Sequence, residues 1–316
     1  MLSSKKIAAL ALLFVALFSA CKENETTNPS TATTLKNGLS GLFESELTNS
    51  IQKFKINISP NQPITIKGKA GTTITFTYFW NSKGAVTGEA DVELIELYQL
   101  SDFLFLNKPT VGYDPSTKSN ILLKSAGSFY VSVKQNGTPV EINYSISTKP
   151  NQTIDKDMTL WSGEANSTNS NSSFVWQPLN RKPYNCVDSL KFGSYCIDFI
   201  RTIGWVNLDA EIRANGLSKT VVKLPTEYND KNAHVFFGRA NNTNSLAKTT
   251  YDNNEWLPLF NLPANFSITL IVMVIDSNNL LRYNMQTFTT KPSQVIEVTD
   301  LTPITLDELK AKVNAL

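Results

Sequence analysis

The sequence predicts an all-β chain of two tandem β-sandwich-like domains closed by a short C-terminal helix. Three observations carry that expectation. Apolar and polar residues alternate with period two, as in Ile74, Phe76, Tyr78 and Trp80 set against Thr73, Thr75, Thr77 and Phe79, the pattern of a half-buried strand. Turn signals such as Asn136-Gly137 and Asp276-Ser277-Asn278-Asn279 punctuate these runs at the density of a sandwich. Helical spacing is confined to Gly38–Ile51 and to the C-terminus.

The first element is not part of the fold. Lys5 and Lys6 precede an unbroken apolar run of 12 residues, Ile7–Phe18. A membrane-spanning helix needs about 20 such residues. A short apolar stretch with basic residues before it and small ones after it reads as a signal peptide over 1–20. Phe18-Ser19-Ala20-Cys21 resembles the lipobox of bacterial lipoproteins, with Phe18 where that family usually has leucine. The resemblance implies cleavage before Cys21, acylation of its thiol and a membrane as partner; two acyl chains give stable anchoring. Residues 21–37 are rich in Asn, Thr, Ser and Glu, and such a segment is expected to be a disordered tether. Cys21-Lys22-Glu23-Asn24-Glu25 resembles the Lys-plus-acidic signal that sends Bacteroidota lipoproteins to the cell surface, Asn24 interrupting the acidic pair. This implies an outer-membrane lipoprotein facing outward, a periplasm-facing one being the alternative.

Removal of Lys5 and Lys6 leaves 27 basic and 27 acidic residues. A neutral chain without a basic cluster has no general attraction for nucleic acid. The first domain is expected over 38–150, with a short helix that places Leu42, Phe43, Leu47 and Ile51 roughly on one face. Strands follow at Thr72–Trp80 and Asp91–Leu97, and Phe129–Ser147 reads as a β-hairpin about Asn136-Gly137. The second domain is expected over 151–300, with strands at 158–161, 173–177, 203–208, 220–224, 235–237, 267–275 and 280–289 and a polar loop at 164–173. Over 301–316, Thr305 and Glu308 form a capping box, and Leu306, Leu309, Val313 and Leu316 follow at helical spacing.

Two sets of strings, one in each half of the chain, carry a further resemblance. Gln52-Lys53-Phe54-Lys55-Ile56, Gly68-Lys69-Ala70-Gly71-Thr72, Val86-Thr87-Gly88 and Ser125-Ala126-Gly127-Ser128-Phe129 occur in that order. The first half resembles the ZU5-like sandwich modules of exported Bacteroidota proteins. Gly204-Trp205-Val206-Asn207-Leu208-Asp209 is similar to a Gly-Trp-Ile-Asn-Cys-Asp motif of surface lipoproteins of the same group, with Leu208 where those have cysteine. The resemblance implies fold and location and brings no reaction with it.

Candidate sites are few. Cys186 and Cys196 are the two cysteines besides Cys21; outside the cytoplasm such a pair reads as a disulfide, two unrelated buried thiols being the other reading. A Ser-His-Asp triad would need His234, the only histidine, and no Gly-x-Ser-x-Gly elbow accompanies it. Paired carboxylates could serve a carbohydrate-active hydrolase; Asp188, Asp198 and Asp209 are the candidates, Asp209 first. Asp114-Pro115-Ser116-Thr117 and Asp252-Asn253-Asn254-Glu255 offer oxygen ligands without a calcium-loop spacing, so no metal and no cofactor is expected. Trp176 and Trp256 adjoin polar loops and are the tryptophans expected at the surface, where they could stack on a glycan. Asp188-Ser189-Leu190 resembles the O-glycosylation signal of exported Bacteroidota proteins. Together these features predict a lipid-anchored, noncatalytic binding, adhesion or structural module with a glycan or a protein as ligand.

Overall fold

In the computed structural model, residues 32–149, 152–163, 174–186, 193–201, 203–213, 216–239 and 244–316 are described. The expected signal peptide, Cys21, Lys22–Glu25, the polar loop 164–173 and Asp188-Ser189-Leu190 lie outside the described residues.

Two sheets face each other around the first core. The first runs in the order Gln52–Ile58, Gly88–Leu97, Ser119–Gln135, Gly204–Glu211, Thr159–Ser162, Gln177–Arg181. The second runs Tyr184–Asn185, Tyr195–Ile200, Glu141–Ser147, Thr73–Asn81, Ile64–Lys67. Val92, Leu94, Phe129, Val131, Val133, Val206 and Leu208 from one sheet meet Ile74, Phe76, Ile142, Tyr144, Ile146 and Ile197 from the other. The sandwich architecture is therefore the one expected.

Two local expectations fail for instructive reasons. The stretch Phe129–Ser147 is a hairpin only at its tip, where Lys134 pairs with Pro139 and Gln135 with Thr138 across Asn136-Gly137. Beyond Val140 the chain leaves the first sheet, and Glu141–Ser147 pairs with Thr73–Asn81 in the second. Phe129, Val131 and Val133 thus oppose Ile142, Tyr144 and Ile146 across the core instead of lying beside them. Alternation alone is the same in both arrangements. In Thr73–Asn81 the register slips between Phe76 and Tyr78. This bulge turns Phe79 into the core and leaves Tyr78 59% exposed, so the apolar face expected to run Ile74-Phe76-Tyr78-Trp80 breaks after Phe76.

The boundary expected at residue 150 lies elsewhere. Thr159–Ser162, Gln177–Arg181 and Gly204–Glu211 belong to the first sheet, and Tyr184–Asn185 and Tyr195–Ile200 to the second. The change of sandwich falls between Glu211 and Leu217, where the third sheet begins. That sheet runs Leu262–Pro263, Leu217–Lys223, Glu255–Pro258, Ser245–Asp252, Ala233–Arg239, Ser267–Ile275, Leu281–Thr289, Thr302–Pro303, with Ser293–Glu297 added in parallel to Leu217–Lys223. One set of its side chains, among them Val235, Phe237, Leu270 and Val272, closes a second core with Trp256 and Val222. The other set, Phe236, Leu246, Ile271 and Met273, packs on the outer face of the first sheet through Ile95, Leu97, Leu123, Trp161 and Trp205. Hence Ser267–Ile275 is an almost unbroken apolar run, as a strand buried on both faces must be.

Three helices fill the margins of this middle core. Helix α1, Gly38–Ser50, buries Leu39, Leu42 and Phe43; of the face expected from spacing, Leu47 and Ile51 are only half-buried against the same core, and Ile51 lies just past the helix. Helix α2, Leu100–Phe105, was not expected; Asp102 accepts from the backbone N–H groups of Tyr98 and Gln99 at 2.9 and 2.8 Å and caps it. Helix α3, Leu306–Asn314, has the expected capping box and buries Leu309 and Val313 completely. Asn314 bridges it to α2, accepting from the Ser101 N–H at 3.1 Å and donating to Gln99 at 2.7 Å, and Lys310 pairs with Glu46 of α1 at 2.6 Å.

Part of the expected tether is ordered. Thr33 donates to the Ile304 carbonyl at 3.1 Å and accepts from Leu281 at 2.8 Å, and Leu35 donates to Asn279 at 2.8 Å. Leu35 also packs against the middle core. Apolar contact and satisfied backbone groups outweigh the polar composition that suggested disorder through residue 37. Removing the α3 cap by Thr305→Ala is expected to cost about 1 kcal/mol, read as a lower urea midpoint with unchanged slope. An unchanged midpoint would show that α3 owes nothing to its cap.

Candidate functional site

The residues singled out by sequence are mostly interior. Trp176 is 0% exposed, with its indole donating to the Pro109 carbonyl at 2.9 Å. Trp256 is 2% exposed and packs on Tyr251 with ring centres 5.0 Å apart. Neither can present a face to a glycan, because the polar loops beside them in sequence do not draw the rings outward. Asp209 is also enclosed, facing the middle core together with Asn207 and Trp205 from the strand Gly204–Glu211. Asn207 donates to its carboxyl and accepts from Ser125 at 2.8 Å. The other carboxyl oxygen has no partner. Burial pushes the Asp209 carboxyl well above the usual carboxylate range, with the nearby Ser125 hydroxyl working the other way.

His234 is half-buried. Its ring lies 5.2 Å from that of Phe43 and 6.2 Å from that of Phe236. Burial, reinforced by the charge of Lys248, pulls its pKa to about 3, so the imidazole is neutral. Burial also pulls the Lys108 ammonium to about 8, and this amine sits 4.4 Å over the Phe174 ring. The two oxygen-rich turns are used by the fold itself. Asp114 accepts from the N–H and Oγ of Ser116 and from Thr117. Asn253 and Asn254, at φ 49° and 64°, form the reversal that lets Asp252 pair with Glu255. Among the described residues no cluster of His, Cys, Asp and Glu could hold a metal ion.

Cys186 and Cys196 form the expected disulfide. It braces the place where the two facing sheets end side by side, the first in Gln177–Arg181 and the second in Tyr184–Asn185. Here the structure displays a residue that the sequence reading passed over. Alternation along Tyr195, Ile197 and Phe199 implies that all three point inward. A register shift between Ile197 and Ile200 buries Ile200 instead and leaves Phe199 63% exposed. Phe199 has φ 57°, a left-handed conformation that costs a bulky L-residue roughly 1–2 kcal/mol. Of the nine described non-glycine residues with positive φ, seven are asparagine; the others are Lys118 and Phe199. At seven of these corners the fold uses asparagine, which takes that conformation cheaply. At 199 it places an aromatic ring that contributes little burial in return.

The corner is held in place. Arg181 donates through Nη1 to the Phe199 carbonyl at 2.7 Å, and the Tyr184 hydroxyl donates to Asp198 at 2.7 Å. Leu160, Leu179, Arg181, Phe199, Ile200 and Arg201 line an open recess of about 410 Å³. Leu160 and Ile200, each 1% exposed, belong to the core between the sheets; the recess is thus the mouth of the sandwich. Arg181, Lys182 and Arg201 are all exposed, and none has an ion-pair partner among the described residues. The arrangement offers an exposed ring, an apolar floor and guanidinium donors, which is binding chemistry. The sequence-level signal was the Phe199-Ile200 doublet, which breaks the alternation.

No family model matches the sequence, and no curated protein matches it. Among solved structures, the cryo-electron-microscopy structure of the membrane pore complex of pneumolysin aligns over 81% of this chain and 69% of its own, at 11% identity and a TM-score of 0.11. An alignment that weak carries no argument about fold or activity.

Two expectations follow from the geometry. A carboxyl whose folded pKa is raised contributes stability that is full below the unfolded value, about 3.9, and is lost as pH rises. Asp209→Asn is therefore expected to match the natural chain near pH ~4 and to exceed it increasingly toward pH ~7 in urea melts. A difference constant with pH would mean that Asp209 is ionised in the fold. Phe199→Asn is expected to stabilise the protein by about 1 kcal/mol, raising its Tm by a few degrees; a lower Tm would make Phe199 a structural residue.

Proposed function

We propose that the protein is a lipid-anchored, noncatalytic envelope protein, displayed outside the cytoplasm, that binds a ligand on the disulfide-braced edge carrying Phe199. The observation behind this reading is Phe199 itself, a ring held outward in a costly backbone conformation. Strain that contributes nothing to packing is commonly retained for function. The basic start, the apolar run and the lipobox-like Phe18-Ser19-Ala20-Cys21 support the anchor. Lys22–Glu25 supports outward display, and the resemblance to modules of exported Bacteroidota proteins is in keeping with it. A carbohydrate-active hydrolase would draw a carboxylate pair from Asp188, Asp198 and Asp209; Asp209, the first of these candidates, is enclosed in the interior, which speaks against it as a member of such a pair.

Two measurements on intact cells carrying the full chain test this reading. Protease shaving is expected to release peptides from Ala32–Leu316 while the outer membrane is whole, with acylated Cys21 left in the membrane. Peptides that appear only after the outer membrane is broken would place the protein on the periplasmic face. Cells carrying the natural chain or Phe199→Asn are then passed over immobilised neutral glycans, acidic glycans and extracellular proteins. Retention on at least one surface, lost in the variant, is expected. Equal behaviour of the two chains on every surface would remove Phe199 from function.

A further inference from the structure

The recess beside Phe199 also indicates what kind of ligand belongs there; this step rests on the binding role proposed for that edge. We infer that it takes an acidic glycan, a saccharide bearing carboxylate or sulfate groups, with Phe199 against a sugar ring and Arg201, supported by Arg181, on the acid.

Charge comes first. Two exposed cations, Arg181 and Arg201, line this recess in a chain whose charges nearly balance, and no described carboxylate pairs with them. The neighbouring acid, Asp198, is engaged by the Tyr184 hydroxyl. Arg213, further along, is accompanied by Glu211 at 3.7 Å and so adds little to the excess. Guanidinium groups suit planar carboxylates and sulfates because their donors form a fork. One donor of Arg181 is spent on the Phe199 carbonyl. Among the described residues Arg201 makes no side-chain hydrogen bond, and its fork faces a ligand.

Shape comes second. A pyranose ring has an apolar C–H face and a polar rim, and an exposed aromatic ring matches that face. The recess, about 410 Å³, is toward the small end of ligand sites, roughly 300–1,000 Å³, and it is open. A short stretch of saccharide can lie across it. An acidic peptide is disfavoured by the backbone. To add as a strand it would need the free edge of Gln177–Arg181, where Pro178 has no N–H and the pairing with Thr159–Ser162 slips between Leu160 and Trp161.

The test uses the full-length lipoprotein in detergent micelles and calorimetric titration with polygalacturonate, alginate and heparin. The controls are methyl-esterified polygalacturonate, neutral dextran and polyglutamate. At least one of the three acidic glycans is expected to bind, more weakly as salt rises. Arg201→Gln is expected to weaken binding about tenfold, the loss of one charge-assisted hydrogen bond, and to flatten the salt dependence. Phe199→Asn is expected to abolish it, while thermal melts show both variants folded. The inference is overturned if none of the three binds, if the methyl ester or polyglutamate binds as well as the acidic glycan, or if Arg201→Gln changes nothing. Phe199-dependent retention of cells on neutral glycans or proteins, with no acidic-glycan binding, would end this inference and leave the binding role standing. No Phe199-dependent retention on any surface would end both.

Discussion

The first sheet is buried on both faces, and the rest of the structure answers to that constraint. One face needs the second sheet to cover it, and the other needs the third sheet and three helices. Central strands of such a sheet have no solvent side, so Gly204–Glu211 is buried at every position except Glu211. Its backbone groups are satisfied within the sheet. Its polar side chains have only the interior to turn to: Asn207 finds partners in Ser125 and Asp209, while one Asp209 oxygen and the Trp205 indole nitrogen are left without. Backbone bonds then stitch the sheets together, from Ser125 to Asn244 at 2.7 Å and from Thr110 to Leu246 at 2.8 Å. With so much apolar surface and so many directed bonds between them, the two sandwiches share one interior and Ala32–Leu316 forms a single compact unit.

What the sequence made legible, and what it hid, follows from the same arrangement. Alternation identifies strands whose two faces differ, and it marks Thr73–Asn81, Glu141–Ser147 and the end of Ser119–Gln135 from Phe129 onward, but not the first part of that long strand. It is silent about which sheet a strand joins, because the inward set looks the same from either side of a core. Hence the Asn136-Gly137 turn is legible in the sequence, and the sheet that the strand after it joins is not. The capping box of α3 was legible because Thr305 and Glu308 bond within one turn. Helix α2 was not, because its support comes from Asn314, more than two hundred residues later.

The candidate site was hidden for a related reason. Trp176 and Trp256 drew notice because aromatic rings near polar loops often lie at a surface. Burial is decided instead by contacts distant in sequence, such as Pro109 for Trp176. Phe199 escaped notice because a one-residue slip inverts inside and outside, and such a slip leaves only an apolar doublet as its trace. The same doublet, Tyr78-Phe79, marks the bulge in the neighbouring part of the second sheet.

The short strap at the N-terminal end of the described chain has a mechanical consequence. Thr33 and Leu35 are tied to Asn279, Leu281 and Ile304 by single backbone bonds, and Leu306 donates to the Thr33 hydroxyl at 2.8 Å. A pull applied through the residues before Ala32 loads these few bonds one after another, as a zip is opened, before it reaches any long strand. The strap is thus a weak link in series with a strong body. Under tension it would give first, lengthening the reach of the protein by several residues while both sandwiches stay closed, and it could re-form when the load falls.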